Sequence, residues 1–447
     1  MGNSPHAAAR GSDILTLGFG TTVAMWAVGY VGRLPEVQAP APVLLTLMLL
    51  MLVLGGFVAA KLTGGGVAAG IRTGILSSLL NLLILGSLLA DAGRGDIVPS
   101  ALVWLPGSLA AGALLGALGA FVGSRGSGGC APLIAAPLFE PEGLVGRAWD
   151  AAFAMVAAGA TLLLIIAGGV VTGHQAGLAV VDWPNSFGSN MFLYPLSRMT
   201  GGIYFEHSHR LIGSLVGLTT LVLAVQLWRV DDRRWVKGLG VAALIMVIVQ
   251  GILGGLRVTG HFTMSQDAEV TTPSIALAVV HGVFAQVYLS TLIALFCVTT
   301  PLWRRAAVTV HRGAGTDHNL SRVLVIMVIV QLILGAILRH VAGGLLFHIS
   351  MAVIVAGTAL FAGMRAWGEH RALPVVPHLG RGLMVLTSVQ LVFGLLALWA
   401  TTLTEKQQAP HMADVILTTT HQTVGAVILT LSVMLMLWTR RLIRSKA

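Results

Sequence analysis

The sequence predicts an all-α polytopic membrane protein with twelve transmembrane helices, the last eight forming two duplicated four-helix bundles. Three observations lead there. The 447 residues are 56% hydrophobic and only 10% charged, with mean hydropathy +0.87. A water-soluble fold does not carry that balance, so the solvent for most of the chain is lipid. Twelve apolar runs are long enough to cross about 30 Å of hydrocarbon. Residues after about 148 repeat at a nearly constant offset.

The runs lie at 14–31, 41–62, 72–91, 99–123, 149–172, 205–228, 236–258, 273–299, 322–340, 345–367, 381–401 and 413–439. The first follows Arg10, as a signal peptide would. It lacks a clear small-residue cleavage site, and losing it would spoil the alternation that follows, so it is kept as a helix. An even number of spans puts both termini on one side. With that side cytoplasmic, the inner loops and helix ends hold 20 Lys and Arg and the outer ones 6, with Arg210 at a helix mouth. This asymmetry fits the positive-inside rule and supports both the count and the orientation. It also explains the net charge of +10 without nucleic acid. Cys130 and Cys297 are far apart, one in a Gly-rich loop and one in an apolar run, so no disulfide and no CxxC metal site is expected.

Residues 1–123 form an N-terminal four-helix unit of unknown role, whose helices contain no histidine. Residues 124–147, rich in Gly, Pro and Ser, are a cytoplasmic linker. The bundles follow at 148–300 and 301–447. Gln250-Gly251-Ile252-Leu253-Gly254 matches Gln390-Leu391-Val392-Phe393-Gly394 at an offset of 140. His209 and His348 differ by 139, and His281 and His421 by 140. Gly168 to Leu178 aligns with Gly335 to Leu345 at 167, so the first half carries a longer outer loop, at 173–204. A four-helix unit has been duplicated in parallel topology.

Each half thus places one histidine on its second helix and one on its fourth. Two imidazoles from two helices of a bundle are a common way to hold a haem iron at both axial positions. The residue one turn beyond each histidine is small: Gly213, Ala285, Ala352 and Gly425. The bland alternative is four core histidines bonded to backbone or Thr groups. Matched repeat positions favour ligands. The halves differ at Glu206, three residues before His209 and on its helix face, where the second half has Leu345. Glu206 reads either as an i,i+4 partner of Arg210 or as a reactive carboxylate that accepts a proton or stabilises developing positive charge. Arg210 reads either as that partner or as a contact for a haem propionate. The asymmetry suggests that the first site does chemistry, with the longer loop shaping access for a large substrate, while the second moves electrons. There are five further outer histidines, His174, His207, His261, His340 and His411; most are expected to be interfacial and solvated, and although several could serve copper, no pair has persuasive ligand spacing.

At these residues the chain resembles the haem A synthase family over about 148–439. The resemblance rests on Gly177-Leu178-Ala179, Asp182-Trp183-Pro184, Glu206 to Gly213, Gln250 to Gly255, and His281, His348 and His421-Gln422. It implies oxidation of the C8 methyl group of haem O to the formyl group of haem A by successive hydroxylations with loss of water, the oxygen coming from water. By similarity, His209 and His281 hold the substrate haem, His348 and His421 hold a haem b that carries electrons away, and Glu206 is the catalytic carboxylate. Arg210 is assigned to cofactor binding. The implied partners are haem O, haem A, the lipid bilayer, haem O synthase and cytochrome c oxidase assembly factors. A homo-oligomer is compatible with this, and the implied location is a bacterial plasma membrane with both termini cytoplasmic. The chain departs from some bacterial members in lacking a cysteine pair in outer loops of the first half, and its first four helices lie outside the family core. A di-haem b cytochrome passing electrons from quinol would also use four histidines but leaves Glu206 and the unequal loops unexplained. A transporter has no use for paired ligands.

Overall fold

A computed structural model describes residues 5–86, 99–125, 145–258, 274–341, 343–407 and 411–445. The Gly-rich part of the proposed linker with Cys130, and also His261, lie outside the described residues. The described chain is helical: α1 (Pro5–Gly32), α2 (Ala41–Thr63), α3 (Gly66–Ile84), α4 (Ala101–Arg125), α5 (Val145–Gly173), α6 (Gly201–Val230), α7 (Arg234–Val258), α8 (Ile275–Thr299), the short α9 (Pro301–Arg305), α10 (Ala314–Val341), α11 (Leu345–Glu369), α12 (Val376–Gln407) and α13 (Met412–Leu442). Twelve of these are long and apolar enough to span a membrane, as the sequence predicted. Helices suit this setting because each satisfies its own backbone polar groups where no water can. The helix ends are written locally: Gly64, at φ 65°, closes α2 by donating its N–H to the Ala60 carbonyl.

The residues group into two compact units. The first comprises Met1–Leu164, Ala179–Leu244 and Thr299–Pro301. The second comprises Ile165–Leu178, Ile245–Val298 and Leu302–Ala447.

In the first unit α2, α3 and α4 pack through glycine. Gly116 of α4 meets the backbone of Gly70 in α3, Gly112 meets Gly74, and Gly119 meets Val53 of α2. In lipid, where tails are as apolar as leucine, such close backbone approach is a main source of helix association. Helix α1 joins these helices to α5 and α6. Trp26 Nε1 donates to Asn81 Oδ1 of α3 at 2.9 Å, and Thr22 Oγ1 lies 3.0 Å from Ser77 Oγ. On the other side Phe19 packs edge-on to Phe153 of α5, and the Tyr204 hydroxyl of α6 donates to the Tyr30 carbonyl at 2.6 Å. The N-terminal helices are therefore packed onto the repeat rather than tethered beside it.

In the second unit α10 to α13 form an up-and-down bundle in which each helix contacts the next and α10 closes on α13. Trp303 packs edge-on to Trp438, and buried Cys297 forms no disulfide among the described residues.

The duplication also appears as a matched pair of buried carboxylates. Asp150 opens α5 and Asp317 opens α10, 167 residues apart. Asp150 Oδ1 accepts from Gln226 Nε2 of α6 at 2.7 Å and from Ser12 of α1. Asp317 accepts from Arg365 Nε of α11 at 3.0 Å and from His370 at 2.9 Å. Gln226 and Arg365 themselves sit at the repeat offset of 139.

Replacing Gly116 by Leu drives a side chain into the Gly70 carbonyl and is expected to cost about 1–3 kcal/mol or more. Thermal unfolding in detergent should show a lowered midpoint. An unchanged midpoint would argue against the close packing of α3 and α4.

Candidate functional site

Glu206, His209 and Arg210 lie on the second and third turns of α6, under the loop that precedes it. Glu206 Oε1 accepts from Arg210 Nε at 3.1 Å, with both side chains mostly buried. Arg210 does more than pair with it. Its Nη1 donates to the carbonyls of Asp182 (2.6 Å) and Asn185 (3.0 Å), and its Nη2 to that of Val180 (2.5 Å). One guanidinium thus ties the carboxylate to the loop and satisfies three backbone acceptors, which its rigid fork of donors suits. The Glu206 ion pair is the bland reading of the sequence realised; the threefold hold on the loop was not legible there.

The loop is built to receive that hold. A hairpin pairs Asn185–Ser186 with Ser189–Asn190, turning at Phe187 and Gly188, both with positive φ. Positive φ at both central residues marks the tight turns that match strand twist. The Asp182 carboxylate receives the N–H groups of Phe187 (2.9 Å) and Gly188 (2.8 Å). Burial pushes its pKa up, but these amides and Arg210 outweigh burial and hold it below the usual carboxylate value.

His207 corrects an expectation. Rather than solvated, it is fully buried, with Nδ1 3.1 Å from Ser186 Oγ and its ring 5.0 Å from that of Tyr194. The loop folds over it, and sequence alone gave no sign of that cover. His174, His340 and His411 are partly exposed.

His209 belongs to the first compact unit and His281 to the second, and each is described inside its own. In the second unit Gln250 Nε2 of α7 donates to the His281 carbonyl of α8 at 2.9 Å. A Cβ on Gly254 would lie 3.1 Å from His281 Cε1.

His348 of α11 and His421 of α13 come together. Their ring centroids are 6.3 Å apart and their planes cross at 71°. Each ring lies against a glycine of the preceding helix: a Cβ at Gly335 or Gly394 would stand 3.1 Å from the Cε1 of His348 or His421. Each also meets a glutamine one turn before that glycine. Gln331 Nε2 is 3.1 Å from His348 Nδ1 and donates to the His348 carbonyl at 3.1 Å. Gln390 Nε2 is 3.4 Å from His421 Nε2. Gly425, read as clearance beside a ligand, instead faces the Gln390 amide, which a Cβ there would approach to 3.4 Å. A Gln-x-x-x-Gly pattern therefore accompanies three of the four histidines. Two copies stood out as part of the repeat, without a role. The third, Gln331 to Gly335, lies 17 rather than 31 residues before its histidine and escaped notice.

A second polar cluster sits where α10 begins and α11 ends. Donor atoms of His311, Asp317, Glu369 and His370 lie within 4.8 Å of one another, a spacing that a metal could use. Arg365 already holds both carboxylates, however, at 3.0 Å to Asp317 and 2.7 Å to Glu369, and His311 Nδ1 accepts from the Gly313 amide. We read it as an ion-paired network that locks the helix ends.

Residues 151–348 match the family model COX15-CtaA, described as cytochrome oxidase assembly protein. The chain is similar to a protein of Lysinibacillus sphaericus named heme A synthase, 36% identical over 24% of this chain and 34% of the relative. Another of that name, from Alkalihalophilus pseudofirmus, is 33% identical over 21% of this chain and 31% of the relative. The matches span about a third of the length of these relatives.

Amide-exchange protection of Phe187 and Gly188 tests the loop geometry. A carboxylate with a lowered pKa stabilises the fold above its ordinary value and loses that contribution as pH falls through the lowered one. Protection is expected to hold from neutral pH to about pH 4 and to fall below it. Asp182→Ala should remove that dependence, and a step that persists in this variant would shift the effect to another group.

Proposed function

We propose that this chain, similar over part of its length to proteins named heme A synthase, oxidises the C8 methyl group of haem O to a formyl group. In this reading the oxygen is derived from water, and electrons leave through a haem b held by His348 and His421. At the coarser level the chain is a multi-pass membrane protein of haem A biosynthesis and an oxidoreductase. The bacterial relatives suggest a bacterial membrane, and the charge asymmetry of the loops supports cytoplasmic termini.

The observation that carries the reading is the His348–His421 pair. Two metal–imidazole bonds of about 2 Å, each extended by the roughly 1 Å from ring nitrogen to ring centre, need centroids roughly 6 Å apart. The observed 6.3 Å fits. Gly335 and Gly394 provide the cradle, since a side chain at either would press on a ring. The buried His421 Nδ1 has no hydrogen-bond partner in the protein, and such a costly group calls for an explanation that a bound haem would supply. Bound there, a haem would accept and pass on single electrons.

Turning a methyl into a formyl group with water-derived oxygen releases electrons and protons in pairs. The chain must supply a proton acceptor and an electron outlet. Glu206 is the carboxylate that the second half lacks, and we assign it the proton-accepting role. Arg210 fixes its side chain from one turn away and closes the loop over the helix mouth. By similarity to the family, we assign His209 and His281 to the substrate haem.

Two predictions test this. Replacing His348 or His421 by Ala should remove most of the low-spin b-type Soret band from the purified protein, and intact haem content in the double variant would sink the assignment. Glu206→Ala should keep haem b yet yield no haem A in cells supplied with a haem O source, read by extraction and chromatography of haems. Normal haem A formation would reduce Glu206 to a partner of Arg210.

A further inference from the structure

Gln331 sits where a ligand-orienting group belongs. A metal-bound imidazole normally gives the proton on its other ring nitrogen to an acceptor, which fixes the ring and raises its basicity. Apolar helices offer few such acceptors. At His348 the nearest polar group of another helix is the Gln331 amide, 3.1 Å from Nδ1. Its Oε1 is buried without a hydrogen-bond partner, while its Nε2 donates to the His348 carbonyl. The oxygen and nitrogen of an amide are nearly the same size and exchange places in a half-turn about the last side-chain bond. That half-turn gives up the hydrogen bond to the carbonyl, gains one from Nδ1–H to Oε1, and moves the unpaired position from Oε1 to Nε2. Gly335, one turn on, keeps the ring against the same helix.

We propose that Gln331 is the positioning residue of the electron-carrying site, accepting the Nδ1 proton of His348 and so presenting Nε2 to the iron. The inference rests on the haem b reading above. It concerns one of the two ligands: Gln331 Nε2 lies 3.1 Å from Nδ1 and 3.4 Å from Nε2 of His348, whereas the Gln390 amide meets His421 at Nε2, at 3.4 Å. An acceptor on Nδ1–H makes the ligand more basic, which favours ferric iron and lowers the midpoint potential. Losing that acceptor raises it.

The test compares Gln331→Met, Gln331→Glu and Gln390→Met in the full-length protein, by redox titration of the b-type haem and electron paramagnetic resonance of its ferric form. Gln331→Met is expected to raise the midpoint potential and shift the ferric g-values. Gln390→Met should shift both less. Gln331→Glu keeps an acceptor oxygen and should hold the potential at or below that of the parent. Unchanged potential and g-values in Gln331→Met overturn the inference while leaving the haem b reading intact. If Gln331→Met loses haem, Gln331→Glu must restore it, and failure to do so also overturns the inference. A parent protein whose haem ignores His348→Ala overturns the site itself.

Discussion

The constraint on which this structure depends is that a polar group buried among lipid-facing helices must find its partner inside the protein. Amides and carboxylates far from water are costly unless bonded. Every polar feature described above obeys this locally. Asp150 and Asp317 are each capped from the adjoining helix, Arg210 saturates three carbonyls and a carboxylate, and glutamines bridge to histidine carbonyls. The departures are then informative. Among the buried atoms without a protein partner are His421 Nδ1, on a residue the repeat singled out, and the Gln331 oxygen, on the residue beside His348.

The sequence repeat sets a common register, and the two halves diverge in what surrounds it. Matched registers gave both halves a buried carboxylate at the start of the first helix and a histidine on the second and fourth. What changed are the partners. Asp150 is bonded by Gln226 and Ser12, whereas Asp317 is held by Arg365 and His370. Ser12 comes from α1, so the added N-terminal helices supply a contact that the second half draws from its own sequence. Glu206 has Leu345 as its counterpart, and only the first half has a loop long enough to be closed by an arginine.

Much of this was legible in the residues. Hydrophobic run length is the one property a bilayer selects directly, so all twelve spans were readable. The histidines were readable because a repeat offset marks positions kept together. His207 was misread because its burial comes from Ser186 and Tyr194 in a loop, which leaves no periodic signal. The Gln331 role was missed because a cross-helix contact has no fixed sequence spacing: the same amide–histidine relation spans 17 residues in one case and 31 in another.

By itself, then, the sequence determined the solvent, the number of spans, the duplication and the candidate ligands. Each is a matter of composition or register along the chain. Only the tertiary structure decided which polar atoms meet. It brought the His348 and His421 rings to 6.3 Å between centroids, laid each ring on a glycine, set an amide beside it, and turned Arg210 to the loop. Those outcomes depend on how helices rotate against one another, and lipid-facing helices of nearly uniform hydrophobicity do not encode that rotation in their periodicity. Close packing and the need to pair buried polar groups fix it instead.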